Sequence, residues 1–185
     1  MTDLSNRRVL ILCTDGFEDA ELYDPRRSLL DAGAQVTLAS PGKTPISGVV
    51  YDMATGKSHP SEHEVTPDMT LSDVDVADYD ALILPGGVVN PDKLRMSEDA
   101  VNIVQAFDAA GKPVASICHG PWLLIEADIV RGRRTTGWYS LRTDLKNAGA
   151  EVVDAEVVVD GNLITSRMPS DIQAFTGAIV QALSR

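Results

Sequence analysis

The segment most informative about the architecture is Val114-Ala115-Ser116-Ile117-Cys118-His119-Gly120-Pro121. Its first four residues suit a short strand that is buried on both faces of a parallel sheet. Gly120 and Pro121 follow, and the apolar run 122–125 predicts a helix directly after the cysteine. A strand that turns sharply into a helix lifts one side chain above the edge of the sheet. The stretch therefore predicts an α/β fold with Cys118 at the carboxyl end of a strand.

The rest of the chain repeats this alternation of buried strands and helices. The strand-like segments are 8–13, 35–39, 81–84 and 114–117, and the helical segments lie near 18–32, 97–110, 141–147 and from 170 onward. Strands that alternate with helices imply crossover connections, so the pattern predicts a mostly parallel sheet with helices on both faces. Asp160-Gly161 predicts a hairpin turn between two further strands. Pro25 is expected to interrupt the first helix, and segment 43–78 is expected to form a hairpin-like excursion.

Length, composition and charge limit the possible functions. The chain has 185 residues, which fits a single domain over 1–185, and its two cysteines do not suggest a disulfide framework. A formal net charge of −11 disfavours a nucleic-acid partner, since such binding relies on clustered Lys and Arg. No apolar run reaches the roughly 18 residues of a membrane span, and the first residues do not resemble a secretory signal. We therefore expect a cytoplasmic protein without a membrane partner.

Three predicted strand ends carry the residues suited to chemistry: 13–18, 85–87 and 118–120. In open α/β sheets, ligands collect at the carboxyl ends of the strands. Cys118 is either a nucleophile whose thiolate the helix N-terminus favours, or a small buried hydrophobe. The pattern alone leaves these two interpretations equally open.

The neighbours of Cys118 have competing interpretations as well. His119 is either a base or cationic partner of the cysteine, or a histidine packed at the start of a helix. Residues adjacent in sequence do not face each other on a regular helix, so contact would need an irregular backbone. Gly86 and Gly87 suit an oxyanion hole but also an ordinary turn. Glu18 and Glu21 are either acidic residues that complement the dipole at the start of a helix, or carboxyls that contact the cysteine. Their spacing alone favours the first interpretation.

A metal or cofactor is not expected. The cluster of histidine and acidic residues at 59–64 does not match a recognised zinc spacing, and Pro60 argues against a helix there. Cys13 is expected to pack at the end of the first strand.

Several segments in order along the chain resemble the PfpI family, which belongs with the Parkinson-disease protein and the class I glutamine amidotransferase-like domains. The resemblance implies a flavodoxin-like three-layer α/β sandwich. It rests on 16–22, 84–87, 114–121, 147–150, 154–162 and 165–169, and therefore covers nearly the whole chain.

The resemblance also implies a role for each site residue. Cys118 would be the nucleophile with His119 beside it, and Glu18 would be the carboxyl that contacts the cysteine. The N–H groups of Gly87 and His119 would form the oxyanion hole. A neighbouring subunit would complete the site with Asp92, so the chain would act as a homodimer or larger oligomer.

The implied function is that of a stress-response cysteine hydrolase. Its substrate would be a peptide or amide bond, or a reactive dicarbonyl or glycated thiol or amine. The alternative is a non-catalytic redox sensor or chaperone-like stress protein whose cysteine is oxidised. Three features depart from familiar members. The loop 88–92 is one residue longer and its acid is the shorter Asp92, Trp138-Tyr139 stands where a Tyr-Pro pair is common, and excursion 43–78 is longer.

Overall fold

The computed structural model describes residues 2–185. The strands are β1 (Arg8–Leu12), β2 (Gln35–Ser40), β3 (Ile46–Asp52), β4 (Lys57–Val65), β5 (Met69–Thr70), β6 (Ala81–Leu84), β7 (Val114–Ile117), β8 (Arg134–Thr135), β9 (Glu151–Val152), β10 (Val157–Asp160) and β11 (Leu163–Ser166). The α-helices are α1 (Asp19–Asp31), α2 (Val89–Leu94), α3 (Glu98–Ala109), α4 (Pro121–Glu126), α5 (Arg142–Asn147) and α6 (Ile172–Leu183).

A seven-stranded sheet forms the middle layer, with the strand order β10-β11-β7-β6-β1-β2-β5. All neighbouring pairs are parallel except β10 with β11, which form the hairpin that Asp160-Gly161 predicts. The sheet and its covering helices confirm the predicted flavodoxin-like α/β fold.

Alternate residues of each central strand supply two separate cores. In β1, Val9 and Ile11 pack beneath α1 and α6, whereas Leu10 and Leu12 pack against helices on the opposite face. Because side chains of a strand point alternately to its two faces, a continuous apolar run is what a sheet covered on both sides requires. The three layers follow directly from this pattern.

The first helix differs from its prediction at Pro25. Helix α1 runs without interruption from Asp19 to Asp31, with Pro25 inside it and buried. Proline has no N–H to donate to the carbonyl of Glu21, but its φ near −65° suits a helix. Burial of its ring in the core offsets part of the lost hydrogen bond.

The predicted excursion forms a two-stranded antiparallel hairpin from β3 and β4, which we name the hairpin arm (residues 46–65). Its base is bonded to the loop after β1: Gly16 N–H donates to Ser47 O over 2.8 Å, and Val49 N–H donates to Phe17 O over 2.7 Å. The arm is thereby held beside the carboxyl ends of the central strands.

Residues 2–185 include neither a candidate membrane span nor a candidate metal cluster. No helix there combines the length and apolar character needed to cross a bilayer. No group of three or more His, Cys, Asp or Glu side chains there is arranged to hold a metal ion.

Candidate active site

The ends of β1, β6 and β7 meet at one pocket of about 280 Å³, because these three strands are neighbours in the sheet. The hairpin arm forms one wall of the pocket, and the loop before α5 contributes another. Its lining residues are Glu18, Glu21, Val49, Tyr51, Gly56, Ser58, Gly87, Val88, Cys118, His119, Trp138 and Pro169.

Cys118 sits on a strained turn between β7 and α4. Its φ is +61°, a left-handed conformation that non-glycine residues rarely adopt. Hydrogen bonds hold this conformation from both sides: Cys118 N–H donates to Ser166 O over 3.1 Å, and Trp138 N–H donates to Cys118 O over 2.8 Å. The turn directs the thiol into the pocket while 6% of the residue stays exposed.

His119 contacts Cys118 within the same chain. Its Nδ1 lies 3.3 Å from the Cys118 sulfur, and the irregular backbone at Cys118 is what permits contact between sequence neighbours. On the other side of the ring, Nε2 lies 3.4 Å from Ser140 Oγ. Burial lowers the pKa of His119 to about 4, so the imidazole is neutral near pH 7. A neutral ring is able to accept the proton of a thiol.

The structure places Glu21 against Cys118, where the resemblance implied Glu18. The Oε2 atom of Glu21 accepts a hydrogen bond from Gly86 N–H over 2.8 Å, and the carboxyl interacts with the Cys118 thiol. Complete burial, together with the nearby charge of Glu18, raises the pKa of Glu21 to about 8. Glu21 therefore holds a proton near pH 7 and has a hydrogen to donate.

Glu18 faces the hairpin arm from the pocket wall. Its Oε2 accepts a hydrogen bond from Tyr51 N–H over 3.0 Å. Burial raises the pKa of Glu18 to about 7. The separation of the two carboxyls follows from where α1 begins: Glu18 is the N-cap with an extended backbone, whereas Glu21 lies in the first helical turn and points inward.

Two backbone N–H groups face the sulfur. Those of His119 and Gly87 both act to lower the pKa of Cys118, but burial and the neighbouring Glu21 carboxyl outweigh them and raise it. The helix N-terminus therefore does not yield a free thiolate, and α4 begins only at Pro121. The same two donors are suited to an oxyanion that forms one bond away from the sulfur.

The remaining predicted residues lie elsewhere. Asp92, on α2, is bonded to Arg95 Nε of the same chain over 2.9 Å and does not line the pocket. Its supply from a second copy stays a prediction. The cluster at 59–64 lies on the exposed strand β4, and Cys13 is fully buried.

The sequence interpretation did not assign Tyr51 or Ser140 to the site. Tyr51 enters the pocket from the hairpin arm, and Ser140 reaches His119 from a 3₁₀ turn. Neither residue follows a predicted strand, so their placement depends on packing between distant segments. The unusual Trp138 was the one local signal near them.

Folding stability is expected to fall as the pH rises from 6.5 to 8.5. Glu18 and Glu21 keep protons in the folded state up to pH values of about 7 and about 8, whereas the unfolded chain releases them near 4.5. The folded state then binds more protons than the unfolded state, so deprotonation favours unfolding. His119 acts with the opposite sign, but only between about pH 4 and 6.5.

Urea unfolding at several pH values measures this effect. We expect Glu21→Gln to reduce the decline in the free energy of unfolding between pH 6.5 and 8.5 by on the order of 1–3 kcal/mol. Glu126→Gln, at an exposed position on α4, is the matched control and should leave the slope unchanged. An equal slope for Glu21→Gln and the unaltered protein would contradict the protonated state of Glu21.

Comparison with known proteins gives the family of the chain. The model of the DJ-1/PfpI family matches residues 7–182. Deglycase PfpI from Pyrococcus furiosus is 42% identical to this chain, in a match that covers 95% of this chain and 99% of the deglycase. General stress protein 18 from Bacillus subtilis is also 42% identical, and that match covers 91% of this chain and 93% of the stress protein.

Among solved structures, a two-domain protein from Anabaena variabilis, with DJ-1/ThiJ/PfpI-like and ferritin-like domains, is 37% identical with a TM-score of 0.87. The match covers 96% of this chain but 48% of that one, so this chain spans about half the length of that protein. Since the family model spans nearly the whole chain and the fold matches a solved structure of the family, this chain belongs to the DJ-1/PfpI family.

Proposed function

We propose that this protein is a cysteine-dependent hydrolase that acts at the carbonyl carbon of short substrates, with adducts of dicarbonyls on thiols and amines as the favoured class. The observation that carries the proposal is the set of groups around one sulfur. Cys118 has a neutral imidazole at 3.3 Å, a protonated carboxyl beside it, and two N–H groups directed towards it. A relative of similar length named as a deglycase supports the substrate class.

In the proposed reaction, the sulfur loses its proton during the attack rather than before it. Because the pKa of Cys118 is raised, the resting residue is a thiol, and His119 Nδ1 accepts its proton as the carbon–sulfur bond forms. The carbonyl oxygen becomes an oxyanion that accepts hydrogen bonds from Gly87 and His119 N–H. His119 then gives the proton to the leaving amine or thiol, whose bond to the carbonyl carbon breaks.

Water completes the cycle. Its attack on the thioester, with its proton passing to His119, breaks the carbon–sulfur bond and releases a carboxylic acid and the Cys118 thiol. Glu21 keeps a hydrogen bond available to the sulfur whenever it carries negative charge.

A dicarbonyl adduct carries its thiol or amine on a carbinol carbon beside the carbonyl. A proton therefore first moves from the carbinol carbon to the carbonyl carbon through an enediol, which turns the adduct into the thioester or amide of a 2-hydroxy acid. Attack by Cys118 and then by water follows as above, so the overall change is addition of one water molecule to give a free thiol or amine and a hydroxy acid, with no external oxidant.

A substrate panel tests the proposal. The protein is incubated with methylglyoxal adducts of N-acetylcysteine and N-acetyllysine and, separately, with casein-derived peptides, and the released thiol, amine and acid are quantified. We expect release from the short adducts at least about 10-fold faster than peptide cleavage, because the pocket of about 280 Å³ is at the small end for ligand sites.

A redox role is the second candidate, and the specific observation in its favour is the donor set around the sulfur. Glu21 and the two N–H groups would bond an oxidised sulfur as well as an oxyanion. Hydrogen peroxide is therefore included in the panel. If no substrate turns over while peroxide adds oxygen to Cys118 stoichiometrically, by intact mass, the hydrolase proposal fails and the redox role replaces it.

A further inference from the structure

Two aromatic rings from distant parts of the chain meet at the pocket. Tyr51 comes from the hairpin arm and Trp138 from the loop before α5, and their ring centroids lie 5.3 Å apart at an interplanar angle of 86°. This edge-to-face geometry is a favourable one for aromatic pairs. Both residues line the pocket that holds Cys118. The contact therefore joins two walls of the site.

Tyr51 is held in place by the attachment of the arm. Its N–H donates to Glu18 Oε2 over 3.0 Å, and two residues earlier Val49 N–H donates to Phe17 O over 2.7 Å. Further along, Ser61 Oγ donates to the carboxylate of Asp19. These bonds tie both strands of the arm to the segment that carries the site carboxyls, so the ring is part of a fixed wall.

Trp138 is held in place by the cysteine turn and the catalytic histidine. Its N–H donates to Cys118 O over 2.8 Å, and its ring stacks on His119 with centroids 5.7 Å apart and an interplanar angle of 28°. The next residue, Tyr139, contacts Trp138 from outside; it is 50% exposed and does not line the pocket.

The pocket, at about 280 Å³, is at the small end for ligand sites. We propose that the contact between Tyr51 and Trp138 is a specificity element that limits the substrate to short molecules and excludes longer chains. This inference rests on the proposed function, because it concerns what reaches Cys118. Loss of either ring opens the pocket between the arm and the loop.

The test uses aryl esters, which report attack by Cys118 without requiring the natural substrate. One series lengthens the acyl chain from p-nitrophenyl acetate to the octanoate, and a second enlarges the leaving group from p-nitrophenyl to naphthyl acetate. In the unaltered protein, kcat/KM should fall by at least about 10-fold along one or both series. Tyr51→Ala and Trp138→Ala should reduce that fall severalfold.

The outcome is judged from the ratio of kcat/KM between the smallest and the largest ester of each series. Absolute rates are not used, because loss of the Trp138 ring also removes its stacking on His119. Tyr51→Phe keeps the ring and should keep the ratio of the unaltered protein, as should the matched control Tyr139→Ala. If neither Tyr51→Ala nor Trp138→Ala changes the ratio in either series, the size limit is overturned. Failure of the proposed function is distinct, because ester turnover would then be absent from the unaltered protein or would persist in Cys118→Ser.

Discussion

Cys118→Ser is expected to lose at least about 10³-fold in kcat/KM towards every substrate that the protein turns over. Serine has nearly the same shape and keeps the hydrogen bonds of the turn at 117–119. Its hydroxyl, however, gives up its proton far less readily than a thiol and forms a poorer leaving group in the second step. With its pKa lowered to about 4, His119 accepts a proton from a hydroxyl even less readily than from a thiol, so it does not compensate as a base. Steady-state kinetics with the short adducts measure the loss.

Cys13→Ala is the matched control for this substitution. Cys13 is the other free cysteine, it is fully buried at the end of β1, and its thiol bonds only its neighbour Thr14 O at 3.7 Å. Its loss should leave kcat/KM within about twofold, since its side chain lies in the core and does not line the pocket. Intact mass during turnover should show a covalent adduct that Cys118→Ser lacks. Full turnover in Cys118→Ser would remove the cysteine from the mechanism.

Gly87→Ala is expected to be the most damaging substitution that leaves the reacting side chains unchanged. The φ of Gly87 is +75°, and a Cβ there would lie 2.1 Å from Gly16 O and 2.9 Å from Glu18 N. Both contacts are to backbone, so the loop after β6 has to move away from the loop after β1. We expect a loss of about 2–4 kcal/mol in the free energy of unfolding. A displaced N–H should also lower kcat by about 10²-fold.

Gly111→Ala is the matched control, because it introduces the strain of a positive φ without the steric overlap that a Cβ at Gly87 would cause. Gly111 has a φ of +66°, but a Cβ there would meet nothing within 4 Å. This variant should cost only about 1 kcal/mol in urea unfolding and leave kcat unchanged. Equal costs for the two variants would mean that the close approach of Gly87 to Gly16 contributes nothing, and an unchanged kcat in Gly87→Ala would exclude its N–H as an oxyanion donor.

Local patterns are sufficient to predict much of the fold. Continuous apolar runs such as 81–84 and 114–117 predict strands covered on both faces, and residues that follow them must lie at the same edge of a parallel sheet. These patterns place Cys118, Gly87 and the loop after β1 together at that edge. The prediction at Pro25 is wrong, because a proline inside a helix costs one hydrogen bond but is tolerated where its ring is buried.

The directions in which the side chains of Glu18 and Glu21 point are harder to predict from sequence than the strands are. Glu18 and Glu21 are three residues apart, and both lie near the end of β1. Which of them meets the sulfur depends on whether the helix begins at residue 18 or at residue 19. The helix begins at Asp19, so Glu18 remains extended and bonds the hairpin arm, while Glu21 turns towards Gly86. A shift of one residue in a helix start rotates each side chain by about 100°.

The sheet, its helical layers and the position of Cys118 at a strand end are predictable from the sequence, because hydrophobic periodicity and turn residues act locally. The surroundings of the sulfur depend on tertiary packing. The left-handed turn at Cys118 brings His119 Nδ1 to 3.3 Å from the sulfur, and Glu21 rather than Glu18 lies against it. Tyr51 comes from the hairpin arm to contact Trp138. These contacts join segments far apart in the chain, and their geometry depends on packing, which no local pattern encodes.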